Sequence, residues 1–461
     1  MRCSIFLLLL LVCFASLGAV HARNVISEPA VQPAEGEAQN RKDEAYESRG
    51  SREDRALAGF PDADAQRRAL GLSLGAARVY SKERGFSVAG YTEILYQTYS
   101  DQAHWHETNL HPVASDLPTG KDQEFTLLRG VLFLGYRVND RVVINSEIRV
   151  DRDLIERGVA TLPEYYDTTK ASTEASLDLA YLDYMKSPEL TFRAGVVLVP
   201  MGLINEFHQP NEYLGTRPGF GDLFTIPSNW HALGFGVAGH KWVFDYRAYI
   251  VSGLNAAKFT ELGPRGGREI SIDTISRPAG VFRIDYNPFP GGVLGGSYYI
   301  GNSGAFDLEE PVDLKLRTTV KEAHGELRWK GAFARAQYAK LLMHGSTELN
   351  RAVRTTGLNG IAPRMVGGYV EGGYNLLWRK KNGSMLMPYL RGEASNPQDA
   401  IPPALLEMGL IKNHYLDFIK WIIGVEWRPV PALSIKTEYE SIHDQNQIFW
   451  NEFHMGASYA F

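Results

Sequence analysis

The sequence predicts an all-β fold, a transmembrane antiparallel β-barrel of about 16 strands with short periplasmic turns and long extracellular loops. Three observations predict it. After residue 85, apolar and polar residues alternate in segments of about ten residues, the length of a tilted strand that crosses a bilayer. The connections between these segments are alternately short and long. Beyond the amino-terminal segment, no run of about 18 apolar residues predicts a membrane-spanning helix.

Residues 1–22 have the three-part pattern of a secretory signal peptide. Arg2 precedes an apolar run over residues 5–14, and small residues lead to the end of the segment. Both cysteines, Cys3 and Cys13, lie inside it, so the exported chain is expected to contain no disulfide bond. Export without a membrane helix leaves three classes: a secreted protein, a periplasmic protein or a barrel.

Residues 23–85 are expected to form a periplasmic leader. Up to about residue 60 the leader is polar and lacks apolar periodicity, which is typical of a loosely held segment. The stretch DADAQRRALGLSLGAARVYSK (62–82) predicts a short helix that begins near Asp62 or Asp64. This helix would either plug or cap the domain that follows or serve as a linker to it.

Residues 86–461 are predicted to form the barrel domain. Turn residues divide this part of the chain into strand-like segments with a period of two. These segments are 86–100, 124–138, 141–151, 174–186, 189–199, 233–239, 241–251, 277–287, 291–301, 318–330, 331–342, 366–379, 384–394, 417–428, 432–442 and 449–461.

The lengths of the connections alternate regularly along this domain. Short connections such as Asn139-Asp140, Ser187-Pro188 and the Lys330/Gly331 junction take turns with gaps that mostly exceed fifteen residues. Sorting of loop length to two ends of an even-numbered antiparallel sheet is typical of an outer-membrane barrel. Soluble β-sandwiches do not sort their loops in this way.

The alternation also predicts which face of each strand meets lipid. In the last segment Tyr459 and Phe461 share an apolar face, whereas Glu452 and His454 share the other. A closed barrel of about sixteen strands encloses an aqueous channel, so we expect the charged faces inside and the apolar faces outside. Aromatic residues near strand ends are expected to form interfacial girdles: Tyr136, Tyr246, Tyr286, Trp329, Tyr338, Trp378, Trp427 and Phe461.

The third long connection, residues 200–232, is rich in proline, glycine and aromatic residues. A loop that packs against the wall of a wide pore needs such a composition, because it must leave few backbone groups unpaired. We expect this loop to fold into the lumen and form the constriction. The alternative is an external loop that covers the mouth.

The stretches FRAGVVLVPMGLINEFHQPNEYLG and IPSNWHALGFGV, the sixteen-segment layout and the terminal SYAF resemble a broad superfamily of bacterial outer-membrane porins. This superfamily includes the phosphate-selective porins O and P. The resemblance implies a barrel in the cell outer membrane, usually trimeric, with its third loop folded inward. In that loop Arg217 accompanies Glu206, Glu212 and Asp222, so the sequence indicates small hydrophilic solutes, anionic ones among them, rather than phosphate in particular.

Selectivity in such a channel depends on charges around a narrow water path. Arg193 and Arg247 lie on strands next to the third loop and are the first candidates for solute contact. Each inward charge has an alternative role, that of reinforcing the wall by pairing across strands. The complete set of candidate pore-lining residues is Arg193, Arg247, Arg283, Arg129, Glu147, Arg217 and Glu206.

The resulting prediction is a passive diffusion channel for small hydrophilic solutes, associated with outer-membrane lipid and forming a homotrimer. It requires no cofactor and no metal, and the net charge of −5 gives no indication of nucleic-acid binding. The histidines of HWHETNLH (104–111) and the glycines of GPRGGR (263–268) are interpreted as loop residues. Two alternatives stay open: a barrel hydrolase, although no G-x-S-x-G motif occurs, and a sealed structural or adhesive barrel.

Overall fold

The computed structural model describes residues 62–99, 123–152, 173–304, 314, 316–412, 416–444 and 449–461. The predicted signal peptide, the leader up to residue 60 and the histidine-rich stretch 104–111 lie outside these residues.

Sixteen antiparallel strands form one closed barrel in which each strand pairs with its sequence neighbours and β1 pairs with β16. The predicted fold class is therefore confirmed. The strands are β1 Gly85–Tyr99, β2 Gln123–Arg137, β3 Val142–Arg152, β4 Thr173–Ser187, β5 Leu190–Leu198, β6 His231–Lys241, β7 Phe244–Ser252, β8 Pro278–Phe289, β9 Gly292–Ser303, β10 Leu316–Trp329, β11 Ala332–Met343, β12 Arg364–Tyr374, β13 Met385–Asn396, β14 Phe418–Val430, β15 Leu433–Asp444 and β16 Phe449–Ala460.

Short helical segments lie between the strands and before β1. The α-helices are α1 Ala63–Ala69, α2 Leu74–Ala77, α3 Leu203–Glu206, α4 Ile272–Ile275, α5 Ser346–Ala352 and α6 Pro403–Glu407. Shorter turns of 3₁₀ or π type span Arg78–Ser81, Gly221–Thr225, Ala256–Lys258 and Arg265–Arg268. Among the described residues, no helix is long and apolar enough to cross a membrane.

The last residue closes the barrel. The N–H of Phe461 donates to the carbonyl of Gly90 at 2.9 Å, and the N–H of Gly90 donates to the carbonyl of Phe461 at 3.1 Å. The ring of Phe461 is stacked with that of Tyr459, 6.5 Å between centroids, and both side chains are exposed on the outer face. This pairing leaves no open edge between β1 and β16.

The apolar faces of the strands point outward, as the alternation predicted. Phe86, Trp421 and Ile423 are 77%, 61% and 60% exposed, although they are large apolar side chains. The charged faces point inward, where Glu93 and Lys420 are buried. An outer surface of this kind is suited to lipid rather than to water.

Several local details differ from the sequence-based expectation, and the largest difference is that β12 ends at Tyr374 rather than at residue 379. The turn between β6 and β7 is Trp242-Val243, not the predicted His240/Lys241 junction, because β6 continues to Lys241. In β4 the register shifts opposite Glu147/Ile148, so Asp178 and Leu179 are both buried. A β-bulge of this kind changes which residues face inward, and the alternation alone does not reveal it.

The interior of the barrel is filled rather than open along its whole length. A continuous apolar cluster joins Leu70 and Leu72, which precede β1, with the wall residues Phe133 and Tyr181 and with Trp230 from the third long connection. Within the part of the chain that the structure describes, two segments therefore occupy the lumen: residues 62–81, here called the plug, and residues 199–230, here called the inner loop.

Candidate functional site: the occupied lumen

The plug begins with a capped helix. The N–H of Ala65 donates to Oδ1 of Asp62 at 2.7 Å, which satisfies one of the free amides at the start of α1. Asp64 pairs with Arg67 at 3.0 Å and with Arg68 at 2.6 Å, one turn further along the helix. A helix of seven residues is too short to be stable alone, so its contacts with the barrel stabilise it.

Arginines of the wall bind the carboxyl end of this helix. Nη1 of Arg247 donates to the carbonyl of Arg68 at 2.8 Å, and Nη1 of Arg193 donates to the carbonyl of Leu70 at 3.0 Å. Carbonyls at the end of a helix have no hydrogen-bond donor within the helix. The two arginine side chains supply these donors. Both positive charges also suit the negative end of the helix dipole.

The second half of the plug is bound to the same side of the barrel. Nδ2 of Asn145 donates to the carbonyl of Ala76 at 2.8 Å, and the hydroxyl of Tyr80 donates to Oδ2 of Asp183 at 2.7 Å. Asp183 also accepts two hydrogen bonds from Arg193, each 2.8 Å long. Arg193 therefore joins the wall to both halves of the plug.

Gly71 allows the plug to turn closely over the wall. Its φ is +61°, a left-handed conformation that favours glycine, and a Cβ atom there would lie 2.1 Å from Oε1 of Glu206. Any larger side chain at this position would displace the plug or the inner loop.

The inner loop is fixed where it enters and leaves the lumen. Nδ2 of Asn205 donates to the carbonyl of Val199 at 2.6 Å, and Oδ1 of Asn205 accepts from the N–H of Trp230 at 2.6 Å. One buried side chain thus joins the two ends of the loop. These bonds pair the carbonyl of Val199 and the N–H of Trp230, as burial of backbone polar groups requires.

The loop then crosses to the opposite wall. The N–H of Leu203 donates to Gln337 on β11 at 2.8 Å, and the N–H of Thr216 donates to Glu438 on β15 at 2.8 Å. Between these points the N–H of Phe220 donates to Glu393 on β13 at 2.8 Å. The third long connection therefore folds into the lumen. It contacts at least three strands of the far wall.

The backbones of the inner loop and the wall pack closely at glycines. A Cβ atom on Gly221 would come within 2.9 Å of the backbone nitrogen of Gly368, and one on Gly367 within 2.8 Å of Cα of Gly221. Only residues without side chains permit backbones to pack this closely.

A buried ion cluster joins the inner loop to the wall below the plug. Oε2 of Glu206, in α3, lies 2.9 Å from Nη1 of Arg247 and 3.0 Å from Nη1 of Arg283. Asp285 pairs with both arginines, at 2.9 Å with Arg283, and lies 2.9 Å from Nε2 of His324. All five side chains are almost completely buried, and the two carboxylates match the charges of the two guanidinium groups.

The plug and the inner loop are bound to each other. Arg67 forms an ion pair with Glu212, and Oε2 of Glu212 accepts from the N–H of Leu74 at 3.3 Å. Nε2 of Gln209 donates to Oγ of Ser73 at 3.3 Å. Through these contacts the plug and the inner loop form a single packed unit inside the lumen.

A polar cleft remains beside this filling, between the inner loop and the wall of β1 and β2. Its basic side chains outnumber the single carboxylate of Glu93. The charged and histidine side chains that line it are Glu93, Arg129, His208, Arg217 and Arg265. Arg129 lies 3.6 Å from Glu93 and 3.2 Å from Asp151, and Arg217 donates to Gln97 on β1.

His208 adds a group that titrates. Burial lowers the pKa of His208, but the carboxylate of Glu147, 3.2 Å from Nε2, outweighs burial and raises this pKa above its ordinary value. Near neutral pH a larger fraction of His208 is therefore protonated than in water, and this adds positive charge to the cleft.

Asp222 holds the inner loop to Gln337, whose Nε2 donates to Oδ1 of Asp222 at 2.6 Å. Burial raises the pKa of Asp222 to about 7; the bond from Gln337 and the charge of Arg391 act in the opposite direction, and Glu322 and Glu393 add to the rise. The folded protein thus binds this proton more tightly than the unfolded chain does.

This difference predicts a pH dependence of stability. An acid whose pKa is raised on folding stabilises the protein at low pH, and this contribution is lost as the pH rises from about 4 to about 7. We expect Asp222→Asn to remove part of the loss, so that the variant gains stability relative to wild type by more than about 1 kcal/mol at pH 8 but not at pH 4. Urea unfolding in detergent at both pH values tests this; an equal effect at both would contradict it.

The seven residues predicted to line a pore are separated by the structure. Arg129 and Arg217 line the cleft, and Glu147 lies behind it against His208. Arg193 is covered by the plug, whereas Glu206, Arg247 and Arg283 belong to the buried ion cluster. Arg193 and Arg247, which we predicted to be the first to contact a solute, are both bound to partners in this structure and only 4% and 0% exposed.

Other residues of the site were not identified from the sequence. His208 and Tyr213 contribute to the cleft, and Arg265 and Arg268 of the GPRGGR stretch donate to the carbonyl of Ser228 at 3.1 and 2.6 Å. The sequence analysis interprets the glycines of that stretch as loop residues. The structure shows that its arginines bind the end of the inner loop. The spacing of three residues between Arg265 and Arg268 was the feature of the sequence that could have indicated a shared binding role.

Similarity to solved structures supports this architecture. OmpF of Salmonella typhi, solved in complex with daunomycin, matches 82% of this chain and 98% of its own with a TM-score of 0.52 and 10% sequence identity. The chain has a porin-like barrel fold. DcaP, an outer-membrane channel of Acinetobacter baumannii, matches 82% of this chain and 97% of its own at 11% identity, with a TM-score of 0.47.

The chain is also similar in sequence to a known protein. An uncharacterized protein of Aquifex aeolicus (strain VF5) is 25% identical over 381 residues, which cover 80% of this chain and 78% of that protein. No family model matches the chain. The resemblance to the phosphate-selective porins therefore stays a prediction.

Proposed function

We propose that this protein is a channel of the cell outer membrane through which small hydrophilic solutes diffuse passively. The observation that carries the proposal is the polar cleft beside the inner loop, in a barrel whose outer face is apolar. A closed barrel pairs its backbone groups internally, which permits it to cross hydrocarbon, and the exposed apolar side chains would contact membrane lipid.

The plug and the inner loop would set the size limit for solutes. They occupy most of the lumen, so the path that we propose runs along the wall of β1 and β2, through the cleft. Diffusion down a gradient needs no cofactor, and the proposal assigns no catalytic step to the protein. Association as a homotrimer, which the resemblance to porins implies, is part of the proposal.

The lining of the cleft supports a preference for anions. Among the charged side chains that line the cleft, Arg129, Arg217 and Arg265 are basic and Glu93 is acidic, while Asp151 and Glu147 pair with Arg129 and His208 from behind the lining. The protonated fraction of His208 adds to the basic side. Rings of basic side chains favour anions in pores. We therefore include small anionic solutes among those that pass.

Reversal potentials test this preference. In a planar bilayer with a KCl gradient, wild-type protein is expected to pass more chloride than potassium, and Arg217→Ala is expected to lower the chloride/potassium permeability ratio several-fold. Lys241→Ala, at the exposed end of β6, is the matched control and is expected to leave the ratio unchanged. A ratio that is the same in wild type and Arg217→Ala would remove the cleft as the selective path.

A further inference from the structure

The outer wall of the barrel carries an uneven distribution of charge. Away from the short turns, the outward-facing charged side chains that the structure describes lie on β10, β11 and β12, and they are basic. They are Arg317, Lys321, Lys340 and Arg364, here called the outer-wall patch. Elsewhere away from the turns, the outward side chains that the structure describes are apolar or uncharged, as contact with lipid requires.

Two of these cations face each other directly. Lys321 on β10 stands opposite Lys340 on β11 in the strand register, while its other neighbour is Tyr298 on β9. The ammonium of Lys321 lies 5.9 Å from the centroid of the Tyr298 ring, and Lys340 stands opposite Val366 on β12. Like charges in directly opposite positions repel each other, so this arrangement favours an anion between them.

The other two cations extend the patch toward the long loops. Arg317 lies on the same face of β10 as Lys321, four residues nearer the loop that follows β9. Arg364 stands opposite Leu342, one outward position beyond Lys340, and pairs with Asp399. Among the described residues, this aspartate is the carboxylate that an ion pair brings to the patch, so the four cations retain an excess of positive charge.

The height of the patch matches the edge of a membrane. Lys321 is eight residues from Trp329, the aromatic residue at the short-turn end of β10. At about 3.3 Å per residue and a tilt of about 40°, this places the lysine roughly 20 Å above Trp329, close to the far boundary of an apolar band about 25 Å tall. From there lysine and arginine side chains reach the headgroup layer.

We propose that the outer-wall patch binds the phosphate groups of an anionic lipid in the leaflet on the long-loop side of the membrane. The inference rests on the proposed function only in that the barrel must span a bilayer. Lys321 and Lys340 clamp one phosphate between them, Arg317 and Arg364 approach from the loop side, and the acyl chains lie along the apolar faces of β9 to β12. Four clustered cations at headgroup level match the chemistry of an anionic lipid.

Thermal unfolding of the full-length protein tests the site. We expect phosphatidylglycerol added to dodecylmaltoside micelles to raise the midpoint of unfolding for wild type more than phosphatidylcholine does. The double variant Lys321→Gln/Lys340→Gln is expected to lose most of this difference. Lys380→Gln/Lys381→Gln, which removes the same charge at an exposed turn, is the control and is expected to keep it. Native mass spectrometry should show at least one bound phosphatidylglycerol on wild type and fewer on the first variant.

Other outcomes would overturn the proposal. An equal response of wild type and Lys321→Gln/Lys340→Gln to phosphatidylglycerol would exclude the patch. Inorganic phosphate that raises the midpoint as much as the lipid would identify a free-anion site instead. A change of oligomeric mass in the variant without any change in lipid binding would assign the face to a second copy of the chain. Conductance measured on the same samples keeps these results separate from failure of the channel itself.

Discussion

Replacement of the plug, residues 62–81, by a flexible Gly/Ser linker of equal length is expected to raise the single-channel conductance several-fold. The plug packs against β1 to β3 through α2 and the turn that follows it, and against β6 and β7 through α1. Its removal would clear the side of the lumen next to the cleft. A barrel of this strand number encloses an aqueous channel when nothing fills it. Single-channel recording in a planar bilayer measures the change.

A point variant tests the same idea without removing the segment. Gly71→Val places a branched side chain where even a Cβ would lie 2.1 Å from Glu206, so it should displace the plug and raise the conductance partway. Gly130→Ala is the control, because a Cβ there meets nothing within 4 Å. If the linker variant folds, as judged by its β-sheet circular dichroism, and conducts like wild type, the plug does not restrict the path.

Glu206→Ala is expected to destabilise the barrel by about 3–5 kcal/mol, the range typical of a buried ion pair that loses one partner. The substitution leaves Arg247 and Arg283 with Asp285 as their remaining carboxylate, inside a region that excludes water. It also removes the ion pairs by which the side chain of Glu206 binds α3 to the wall. Urea unfolding in lipid vesicles, followed by tryptophan fluorescence, measures the loss.

The control for this variant is Glu189→Ala, at the exposed turn between β4 and β5. We expect that change to alter the free energy of unfolding by less than about 0.5 kcal/mol, as is usual at the surface. A similar small effect for Glu206→Ala would mean that the buried cluster does not hold the inner loop.

The strands could be predicted from the sequence because a barrel repeats one physical requirement. Each strand must present an apolar face to lipid and a polar face to the lumen, so residues such as Trp421 and Lys420 reveal the orientation locally. Most predicted strand ends lie within two residues of the observed ones, and the larger differences arise where the alternation continues past a strand end. The bulge in β4 could not be predicted, because it depends on pairing with β3 and not on the alternation of apolar and polar residues.

The interior could be predicted only in part. The period of two placed Arg193 and Arg247 inside the barrel, but it says nothing about which segment covers them. Whether the plug enters the lumen depends on contacts made over more than a hundred residues, such as that between Arg193 and Leu70. A capped helix at Asp62 was visible in the sequence, whereas its location in the fold was not.

The composition of the inner loop was more informative. Its glycines and aromatic residues indicated packing in a confined space, and Gly221 against Gly368 is an example of that packing. The charged residues of the loop were less informative, because the sequence does not distinguish the role of Glu206 from that of Arg217. One of them balances buried arginines and the other lines the cleft.

Osmotic swelling of liposomes that contain the purified protein tests the central claim most directly. If small hydrophilic solutes diffuse through the lumen, the vesicles will swell in solutions of small sugars and small organic anions, at rates that fall steeply as the solute grows. Replacement of the plug by the linker will move that size limit upward. Vesicles that do not swell, with either the wild-type protein or the linker variant, would contradict the account and leave a sealed barrel.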